Sequence, residues 1–550
     1  MRAADLIVEA LKQQGVQRLF CVPGESYLTL LDALVDAPEI ATVACRHESG
    51  AGFMAVAEAK LTGKPAVFMV SRGPGATNGS IALHVAEQDA VPVVCLIGQV
   101  SREERTRGAF QEVDYTEFFG SIAKGVWEIS DPERLPEVMV RAFHLAANGT
   151  PGPVVIALPE DVLAEQVRTS LPSPFPLPRS APALDQVGAV AKRLAAAQRP
   201  LIIAGAAIKT AEGMAALAEV AARHQVPVAV TWKNQEAFDN TSPLYAGHLG
   251  FGAPAALREQ LSRADLLIAV GTRLGDVATL NYQLPSAPEP RQPLIHVYAD
   301  PNVIGRVFRT ELGIAADPVL FLQSLAASPA SVASDRERWL HDIASFMSTY
   351  SAFTPRNVDD GVDFGIVVHA LSQQAAEDAI LITDSGNFSS WLHRHWKLTP
   401  KNTLLGAIGG AMGFGVPAGV AASMIAPDRQ VIVLVGDGGT LMTGQELATA
   451  IAIGARPKLF ISDNGSYGTI RTHQEREFPA RVSGTTLASP DFAAWGRSFG
   501  AEAITIDKGD DVIAKVRQAL ETSAPVVVHV RSSLESISAY TTLSALRGGR

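Results

Sequence analysis

Short, nearly uninterrupted runs of apolar residues recur along this chain and alternate with segments that have helical periodicity. Runs such as VPVVCLIG, DLLIAVG and RQVIVLVGD are rich in Val, Ile and Leu and do not alternate apolar with polar residues. Such runs are typical of strands buried on both faces, and the helical segments between them can serve as crossovers. The pattern therefore predicts an α/β fold with parallel sheets.

This rhythm occurs three times, and two stretches with weak patterns separate its occurrences. Residues 169–183 (TSLPSPFPLPRSAPA) contain five prolines and indicate an extended connector. The pattern weakens again around residues 328–365. For 550 residues, we therefore expect three consecutive doubly wound parallel-sheet domains, at residues 1–168, 184–328 and 362–550.

Charge and cysteine content narrow the functional classes. The net charge is −10, and the sequence has no Lys/Arg run that could bind the phosphates of a nucleic-acid backbone. Cys21, Cys45 and Cys95 form no CxxC pair, which disfavours a disulfide framework or a structural zinc site and indicates a reducing compartment. The first 20 residues have charges inside their apolar stretch and are typical of an amphipathic helix, not a signal peptide. We therefore expect a cytoplasmic protein that does not bind nucleic acid.

One long segment lacks charge altogether. Residues 404–427 (LLGAIGGAMGFGVPAGVAASMIAP) are long enough to span a membrane. They contain six glycines and two prolines, however, which disfavour a continuous helix. We expect a buried glycine-rich turn followed by a helix, and no membrane span.

Two loops after predicted strands carry residues that can hold a metal and a phosphate. Residues 436–440 (GDGGT) follow VIVLV, and residues 463–468 (DNGSYG) follow PKLFIS. Asp437 and Asn464 are oxygen donors at neighbouring strand ends, and glycines allow backbone N–H groups to approach a phosphate. Each loop alone could be an ordinary tight turn, since a lone GDG is a weak signal. Together they favour a Mg²⁺–phosphate site.

The spacing of these loops resembles a known motif. GDG, 25 residues and then Asn464 is similar to the thiamine-diphosphate motif of the decarboxylase and acetolactate synthase superfamily. The resemblance implies thiamine diphosphate and Mg²⁺ as cofactors, with Asp437, Asn464 and the carbonyl of Ser466 as metal ligands. The family usually has Asn-Asn where this chain has Asp463-Asn464, and the effect of Asp463 stays open. The resemblance also implies cofactor contacts at Gly438, Gly439, Tyr467 and Gly468.

A partner motif lies in the predicted first domain. Glu48 follows the strand ATVAC and opens a helical stretch, where an acid by itself would merely complement the helix dipole. The resemblance assigns Glu48 to the pyrimidine N1′ of the cofactor, where a shared proton favours the imino tautomer. Glu48 and Asp437 are 389 positions apart. The family joins such sites between two subunits, which implies a homodimer or homotetramer with active sites between subunits.

Further segments resemble the same family. Residues 71–78 (SRGPGATN) look like its pyrimidine loop, and residues 109–114 (AFQEVD) like the segment that faces the reacting carbon. Residues 410–415 (GAMGFG) resemble its cofactor-bending loop, and residues 383–388 (TDSGNF) stand where its second diphosphate loop falls. The residues that the resemblance places in the site are Pro74, Asn78, the catalytic pair Phe110 and Gln111, Ser385, Gly386, Asn387, Phe388, Gly410 and Met412. Taken individually, Phe110 and Met412 could be packing residues and Gln111 a capping amide.

The resemblance is to the acetolactate synthase branch, which implies decarboxylation of a 2-oxo acid, normally pyruvate, and transfer to a second 2-oxo acid. His473 stands where the biosynthetic synthases have Trp, and its role stays open. Residues 271–276 (GTRLGD) and 205–207 (GAA) replace the family's flavin-contacting stretches, so FAD is not expected. Alternatives are a benzaldehyde-lyase-like carboligase, an oxalyl-CoA-decarboxylase-like lyase whose middle domain holds a nucleotide, or a non-catalytic nucleotide-binding protein. No GxGxxG follows a first strand, which disfavours NAD.

Overall fold

The computed structural model describes residues 1–333 and 335–548, and within them three parallel sheets of six strands each are surrounded by helices. This confirms the predicted α/β fold. Every strand pair is parallel, and most strands are buried on both faces. Continuous apolar runs produce such strands because helices cover both sides of the sheet.

The first sheet has the strand order β2-β1-β3-β4-β6-β5. Its strands are β1 (Arg18–Cys21), β2 (Ala41–Ala44), β3 (Ala66–Val70), β4 (Val93–Gln99), β5 (Gly125–Glu128) and β6 (Pro153–Pro159). The helices of this part are α1 (Ala3–Gln13), α2 (Leu28–Val35), α3 (Glu48–Thr62), α4 (Pro74–Asp89), α5 (Tyr115–Phe119), α6 (Leu135–Ala147) and α7 (Glu160–Ala164).

The middle sheet has the order β12-β11-β10-β7-β8-β9, which is the order of dinucleotide-binding sheets. Its strands are β7 (Pro200–Ala204), β8 (Val228–Thr231), β9 (Tyr245–Leu249), β10 (Leu266–Val270), β11 (Leu294–Tyr298) and β12 (Leu312–Ala315). The helices of this part are α8 (Leu184–Ala196), α9 (Ala211–His224), α10 (Ala255–Ser262), α11 (Pro318–Ala326) and α12 (Arg336–Ser351).

The third sheet, β14-β13-β15-β16-β18-β17, repeats the strand order of the first. Its strands are β13 (Ile380–Thr383), β14 (Thr403–Leu405), β15 (Val431–Gly436), β16 (Lys458–Asp463), β17 (Glu502–Ile506) and β18 (Val526–Arg531). Its helices are α13 (Phe364–Gln374), α14 (Ser390–His395), α15 (Gly415–Ile425), α16 (Asp437–Thr443), α17 (Leu447–Ile453), α18 (Gly468–Glu477), α19 (Phe492–Ser498), α20 (Val512–Glu521) and α21 (Leu543–Gly548).

The first and third sheets share one apolar core. Helices α3 and α15 pack against each other, and the rings of Phe53 and Phe414 meet edge to face with centroids 5.8 Å apart. The middle sheet has two core clusters of its own, one on each face. Glu48, at the start of α3, is thus tied through this helix to the third sheet.

One expectation about an individual segment needs correction. The amphipathic helix predicted for residues 1–20 ends at Gln13, because Gly15 turns the chain with a φ of +74°, and Arg18–Cys21 form a strand. Residues 328–365, where the pattern weakens, contain α12. Its Trp339 and Ile343 are buried against the middle sheet.

The uncharged segment at residues 404–427 forms the end of β14, a glycine-rich turn and α15, in agreement with the sequence-based expectation. Among the described residues, no helix combines the length and the apolar character that crossing a bilayer requires.

Candidate active site

The third sheet has a crevice between β13 and β15. The chain leaves these neighbouring strands in opposite directions along the sheet, toward β14 and toward β16, and parallel sheets bind ligands at such switch points. Residues 384–388 follow β13, and Asp437 follows β15 directly. Both predicted diphosphate loops therefore lie at the crevice.

Oxygen donors converge beside this crevice. One oxygen of the Asp437 carboxylate accepts the N–H of Gly438 at 2.7 Å, and the other accepts the N–H of Ser466 at 3.2 Å. The side-chain oxygen of Asn464 accepts the same Ser466 N–H at 3.1 Å. Burial, with a smaller contribution from the neighbouring Asp463, raises the pKa of Asp437 to about 7. A carboxylate, an amide and a backbone carbonyl form a donor set that suits Mg²⁺.

Asp463, which stands where the family usually has Asn, has hydrogen-bond partners of its own. One carboxylate oxygen lies 2.9 Å from Nε2 of His529, and the other accepts the Ser489 hydroxyl at 2.7 Å and the Gly465 N–H at 3.2 Å. Burial opposes ionisation of Asp463, but the hydrogen bonds from His529 and Ser489 outweigh it, so its pKa lies below the ordinary value. The Asp463 carboxylate is thus hydrogen-bonded by His529 of β18 and by Ser489, which precedes α19.

Aromatic rings close over the glycines of the crevice. A side chain at position 438 would place its Cβ 2.5 Å from the ring of Tyr467. At position 436 the Cβ would lie 3.0 Å from the ring of Phe388. A side chain at position 438 would therefore require the Tyr467 ring to move.

Asn387 connects the crevice to α18. Its amide nitrogen donates to the Thr472 hydroxyl at 2.8 Å and to the Gly468 carbonyl at 3.3 Å, and its oxygen accepts from Thr469 at 3.0 Å. These bonds bring the loop with Ser385, Gly386 and Phe388 next to the loop with Asn464 and Tyr467. Three segments that are far apart in the sequence thus border one site.

The glycine-rich turn before α15 joins the same site. Gly410 and Gly413 have φ values of +77° and +85°, which glycine adopts without strain. The Ser385 hydroxyl donates to the carbonyl of Ala411 at 3.0 Å, and Asp384 accepts the N–H of Gly413 at 2.8 Å. Met412 lies between these two attachments and is half-buried.

A second group of predicted residues lies at the start of α3 and α4. The amide of Asn78 donates to a carboxylate oxygen of Glu48 at 3.0 Å, and Gly75 lies beside the other oxygen. Pro74 and Asn78 are exposed, and Glu48 is half-exposed. His47 caps α3 by accepting the N–H of Ser49 at 3.1 Å, so the helix start that carries Glu48 is well defined.

Phe110 and Gln111 lie next to this second group. Gln111 has a φ of +63°, a costly conformation for a non-glycine residue, and its backbone packs against Gly73. Phe110 is 73% exposed. Ion pairs from Arg105 to Glu112 and to Glu128 hold the loop, so the exposed ring is presented by a fixed backbone.

The predicted residues thus form two groups within one chain. The partners of Glu48 belong to the first sheet and those of Asp437 to the third. Both groups include exposed residues: Asn78 and Phe110 in one, and Gly410 in the other.

Sequence reasoning missed several residues that hold these groups in place. Asp384 connects the crevice to the glycine-rich turn, and its pKa is raised by burial. Glu446 accepts the N–H groups of Arg46 and His47 at 2.9 and 3.0 Å, although it lies about 400 residues away along the chain. Asp384 lies in the segment TDSGNF, so its place in the proposed second diphosphate loop could have indicated a role in the site. No local pattern connects Glu446 with residues 46 and 47.

Among the described residues, no group of three or more His, Cys, Asp or Glu side chains is arranged to hold a metal.

Comparison with protein families gives three matches along the chain. The model of the N-terminal TPP-binding domain of thiamine pyrophosphate enzymes matches residues 1–118. The central-domain model of the same enzymes matches residues 187–325, and the model of their C-terminal TPP-binding domain matches residues 384–530.

Individual proteins are similar over nearly the whole chain. The acetolactate synthase large subunit of Parasynechococcus marenigrum is 33% identical, over 96% of this chain and 87% of its own length. The large subunit of acetolactate synthase isozyme 1 of Escherichia coli is 31% identical, over 97% of this chain and 94% of its own length. A probable acetolactate synthase large subunit of Methanocaldococcus jannaschii is 31% identical, over 96% and 92%.

Proposed function

Because this chain belongs to the thiamine pyrophosphate enzymes and is an enzyme of the acetolactate synthase type, we propose that it decarboxylates a 2-oxo acid and transfers the remaining carbon unit to a second carbonyl compound. Pyruvate is the proposed donor, supported by the names of the relatives. Mg²⁺ is proposed as the second cofactor.

One observation carries the cofactor assignment: Asp437 and Asn464 converge on the N–H of Ser466 at the edge of the third sheet. Their oxygens and the Ser466 carbonyl would hold Mg²⁺, and the metal would hold the diphosphate. Further diphosphate contacts are proposed for the crevice residues Ser385, Gly386, Asn387, Phe388, Gly438, Gly439, Tyr467 and Gly468.

When bound, thiamine diphosphate supplies a carbon that can carry the electron pair released by decarboxylation. Glu48 would share a proton with the pyrimidine N1′, and the amide of Asn78 fixes the carboxyl group for this task. Pro74, Gly410 and Met412 would shape the pocket for the pyrimidine. Phe110 and Gln111 would face the reacting carbon and exclude water from it.

The active site is proposed to form between two chains, in a homodimer or homotetramer. The two groups of site residues belong to different sheets, and each has an exposed face within one chain. In a symmetric dimer, the Glu48 group of one chain can cover the Asp437 group of its partner, and the reverse holds at the second site.

We also propose that the middle domain, placed at residues 184–328, binds no FAD. The loops at the switch point of the middle sheet are hydrogen-bonded to each other, with the Ala207 N–H donating to the Gly271 carbonyl at 3.1 Å. The absorption spectrum of the purified protein tests this: flavin bands that persist after gel filtration would contradict it. The three cysteines are buried and free, which supports a proposed cytoplasmic location.

Cofactor binding and product analysis test the proposal directly. Calorimetry should show thiamine diphosphate binding in the presence of Mg²⁺ and much weaker binding with EDTA. Incubation with pyruvate should release CO₂ and yield a product that gives acetoin after acid treatment. No binding at saturating Mg²⁺ would overturn the cofactor assignment. Turnover of benzaldehyde without turnover of pyruvate would favour the benzaldehyde-lyase-like carboligase instead, and turnover of oxalyl-CoA would favour the oxalyl-CoA-decarboxylase-like lyase.

Glu48→Gln tests the proton-sharing role of Glu48. The substitution keeps the size of the side chain and removes the ionisable group, so thiamine diphosphate should still bind while exchange of its C2 proton with solvent slows by about 10²–10⁴-fold. NMR of the bound cofactor in D₂O measures this rate. An unchanged exchange rate would refute the role.

A further inference from the structure

The segment that leads into the glycine-rich turn is held by side chains from outside the third sheet. Residues 404–409, named here the lead segment, run from the end of β14 to the residue before Gly410. Side chains from α3 and α4 of the first part and from residues 209–236 of the middle part bind its backbone. The lead segment is therefore a point where all three parts of the chain meet.

Two residues of the first part bind the end of the lead segment nearest to Gly410. Asp89 accepts the N–H of Ile408 at 3.0 Å with one oxygen and that of Gly409 at 2.8 Å with the other. Lys60 forms an ion pair with Asp89 and donates to the carbonyl of Gly406 at 2.6 Å. Such charged hydrogen bonds are stronger than those between neutral groups.

Three residues of the middle part complete the contacts. Lys233 donates to the carbonyl of Ala407 at 2.8 Å. Glu236 accepts the N–H of Leu404 at 2.9 Å, and Lys209, which lies 2.6 Å from Glu236, donates to the Leu404 carbonyl at 3.3 Å. Together these side chains bind six backbone groups of the lead segment.

Lys233 has an unusual environment. It is 2% exposed, and among the described residues its ammonium forms no ion pair; its contacts are the Ala407 carbonyl and the face of Trp232, 4.5 Å from the ring centroid. Its φ of +60° is strained for a residue with a side chain. Burial lowers the pKa of Lys233 to about 8, and the nearby carboxylates of Asp89 and Asp384 oppose this shift only in part, so a buried ammonium is unfavourable at this position.

We infer that Lys233 and Asp89 are positioning residues, which fix the lead segment so that Gly410 and Met412 are held in the geometry that the bound cofactor requires. This inference rests on the proposed function. The middle part then has a role in the active site without binding a ligand itself, because its buried Lys233 holds the lead segment that precedes the glycine-rich turn.

A comparison of two methionine variants tests the inference. Lys233→Met keeps the length of the side chain and removes the ammonium. Arg273→Met is the matched control, because Arg273 also joins the middle part to the first part, through the carbonyls of Glu87 and Gln88, without touching the lead segment. A residue that only docks the domains would give the same result in both variants.

Lys233→Met should weaken thiamine diphosphate binding and slow C2-proton exchange of the bound cofactor by about 10–100-fold, the range for lost supporting contacts. Its thermal midpoint should be no lower than that of Arg273→Met, whose exchange should stay within about twofold of the wild type. Equal exchange in both variants would overturn the inference.

A second variant keeps the test decisive if Lys233→Met does not fold. Asp89→Asn places an amide where one of two backbone N–H groups requires an acceptor, and its exchange should slow in the same way; wild-type exchange would contradict the inference. The wild type separates this inference from the proposed function. If it does not bind thiamine diphosphate, the proposed function fails, whereas equal variants on a binding wild type refute only the positioning role.

Discussion

Asp463 shows how a single departure from a family motif can be absorbed by its surroundings. Its carboxylate is bonded to His529 and Ser489, so its charge is satisfied at the back of the proposed metal loop. The side-chain oxygen of the next residue, Asn464, which is a proposed metal ligand, accepts the Ser466 N–H that it shares with Asp437. His529 is about 66 positions from Asp463 along the chain, so the pairing could not be predicted from the motif alone.

Gly438 is expected to be sensitive to the smallest change. In Gly438→Ala the new methyl group would lie 2.5 Å from the Tyr467 ring, so the ring must shift, and both residues belong to the proposed diphosphate site. Thiamine diphosphate affinity measured by calorimetry should fall at least about tenfold. Gly188→Ala is the control: this glycine lies in α8 with open space around it, so alanine should stabilise the protein by about 0.5–1 kcal/mol and leave affinity unchanged. Unchanged affinity in Gly438→Ala would contradict the proposed position of the diphosphate.

At the scale of elements, the long apolar strands were predictable, whereas the edge strands β5 and β17 were not. β15 and β16 form at the predicted runs VIVLV and PKLFIS. A short run that is apolar on both faces is typical of a strand buried in a parallel sheet. The edge strands β5 and β17 are short and half-exposed, and their mixed sequences do not differ from loops. Helix α12 could not be predicted because the segments on both sides of it, within residues 328–365, have no clear periodic pattern.

The contacts of the lead segment could not be predicted from the sequence, for a different reason. Its partner Asp89 is about 320 positions away along the chain, and no periodicity or motif connects the two. The proposed ligands of the cofactor could be placed from motifs, since each motif is local. The residues that hold those motifs in position come together only through the packing of separate sheets.

Docking of α21 onto α18 should depend on pH. Glu475 of α18 accepts hydrogen bonds from Arg547 at 2.6 and 2.9 Å and from Arg471 at 2.9 Å, and these contacts, Arg547 foremost, lower its pKa to about 2. A lowered pKa in the folded state stabilises the protein above the ordinary glutamate pKa, and the contribution is lost as pH falls toward 2.

Glu475→Gln should therefore lower the free energy of unfolding by about 1–3 kcal/mol near neutral pH. Urea unfolding should show a constant difference from the wild type between pH 7 and 5 that shrinks below about pH 4. Glu259→Gln is the control, because Glu259 is an exposed residue of α10 that forms no ion pair within the described chain. A difference that does not change with pH would show that Glu475 contributes by packing and not by charge.

The whole molecule combines two sheets of one strand order with a third of another. The first and third sheets share a core through α3 and α15, so each chain carries both groups of proposed site residues on one packed core. Within a chain, however, the Glu48 group and the Asp437 group have separate partners and separate exposed faces. This arrangement is the basis for placing each active site between two chains.

Mixing two inactive variants tests this arrangement most directly. Glu48→Gln removes the carboxyl group proposed to share a proton with the cofactor, and Asp437→Asn removes the carboxylate of the proposed metal site, so each homodimer should lack activity with pyruvate. After subunit exchange, a mixed dimer has one site with both defects and one site with neither, so activity should return to about a quarter of the wild-type value. Activity that stays at background, although mass spectrometry shows mixed dimers, would contradict an active site assembled from two chains.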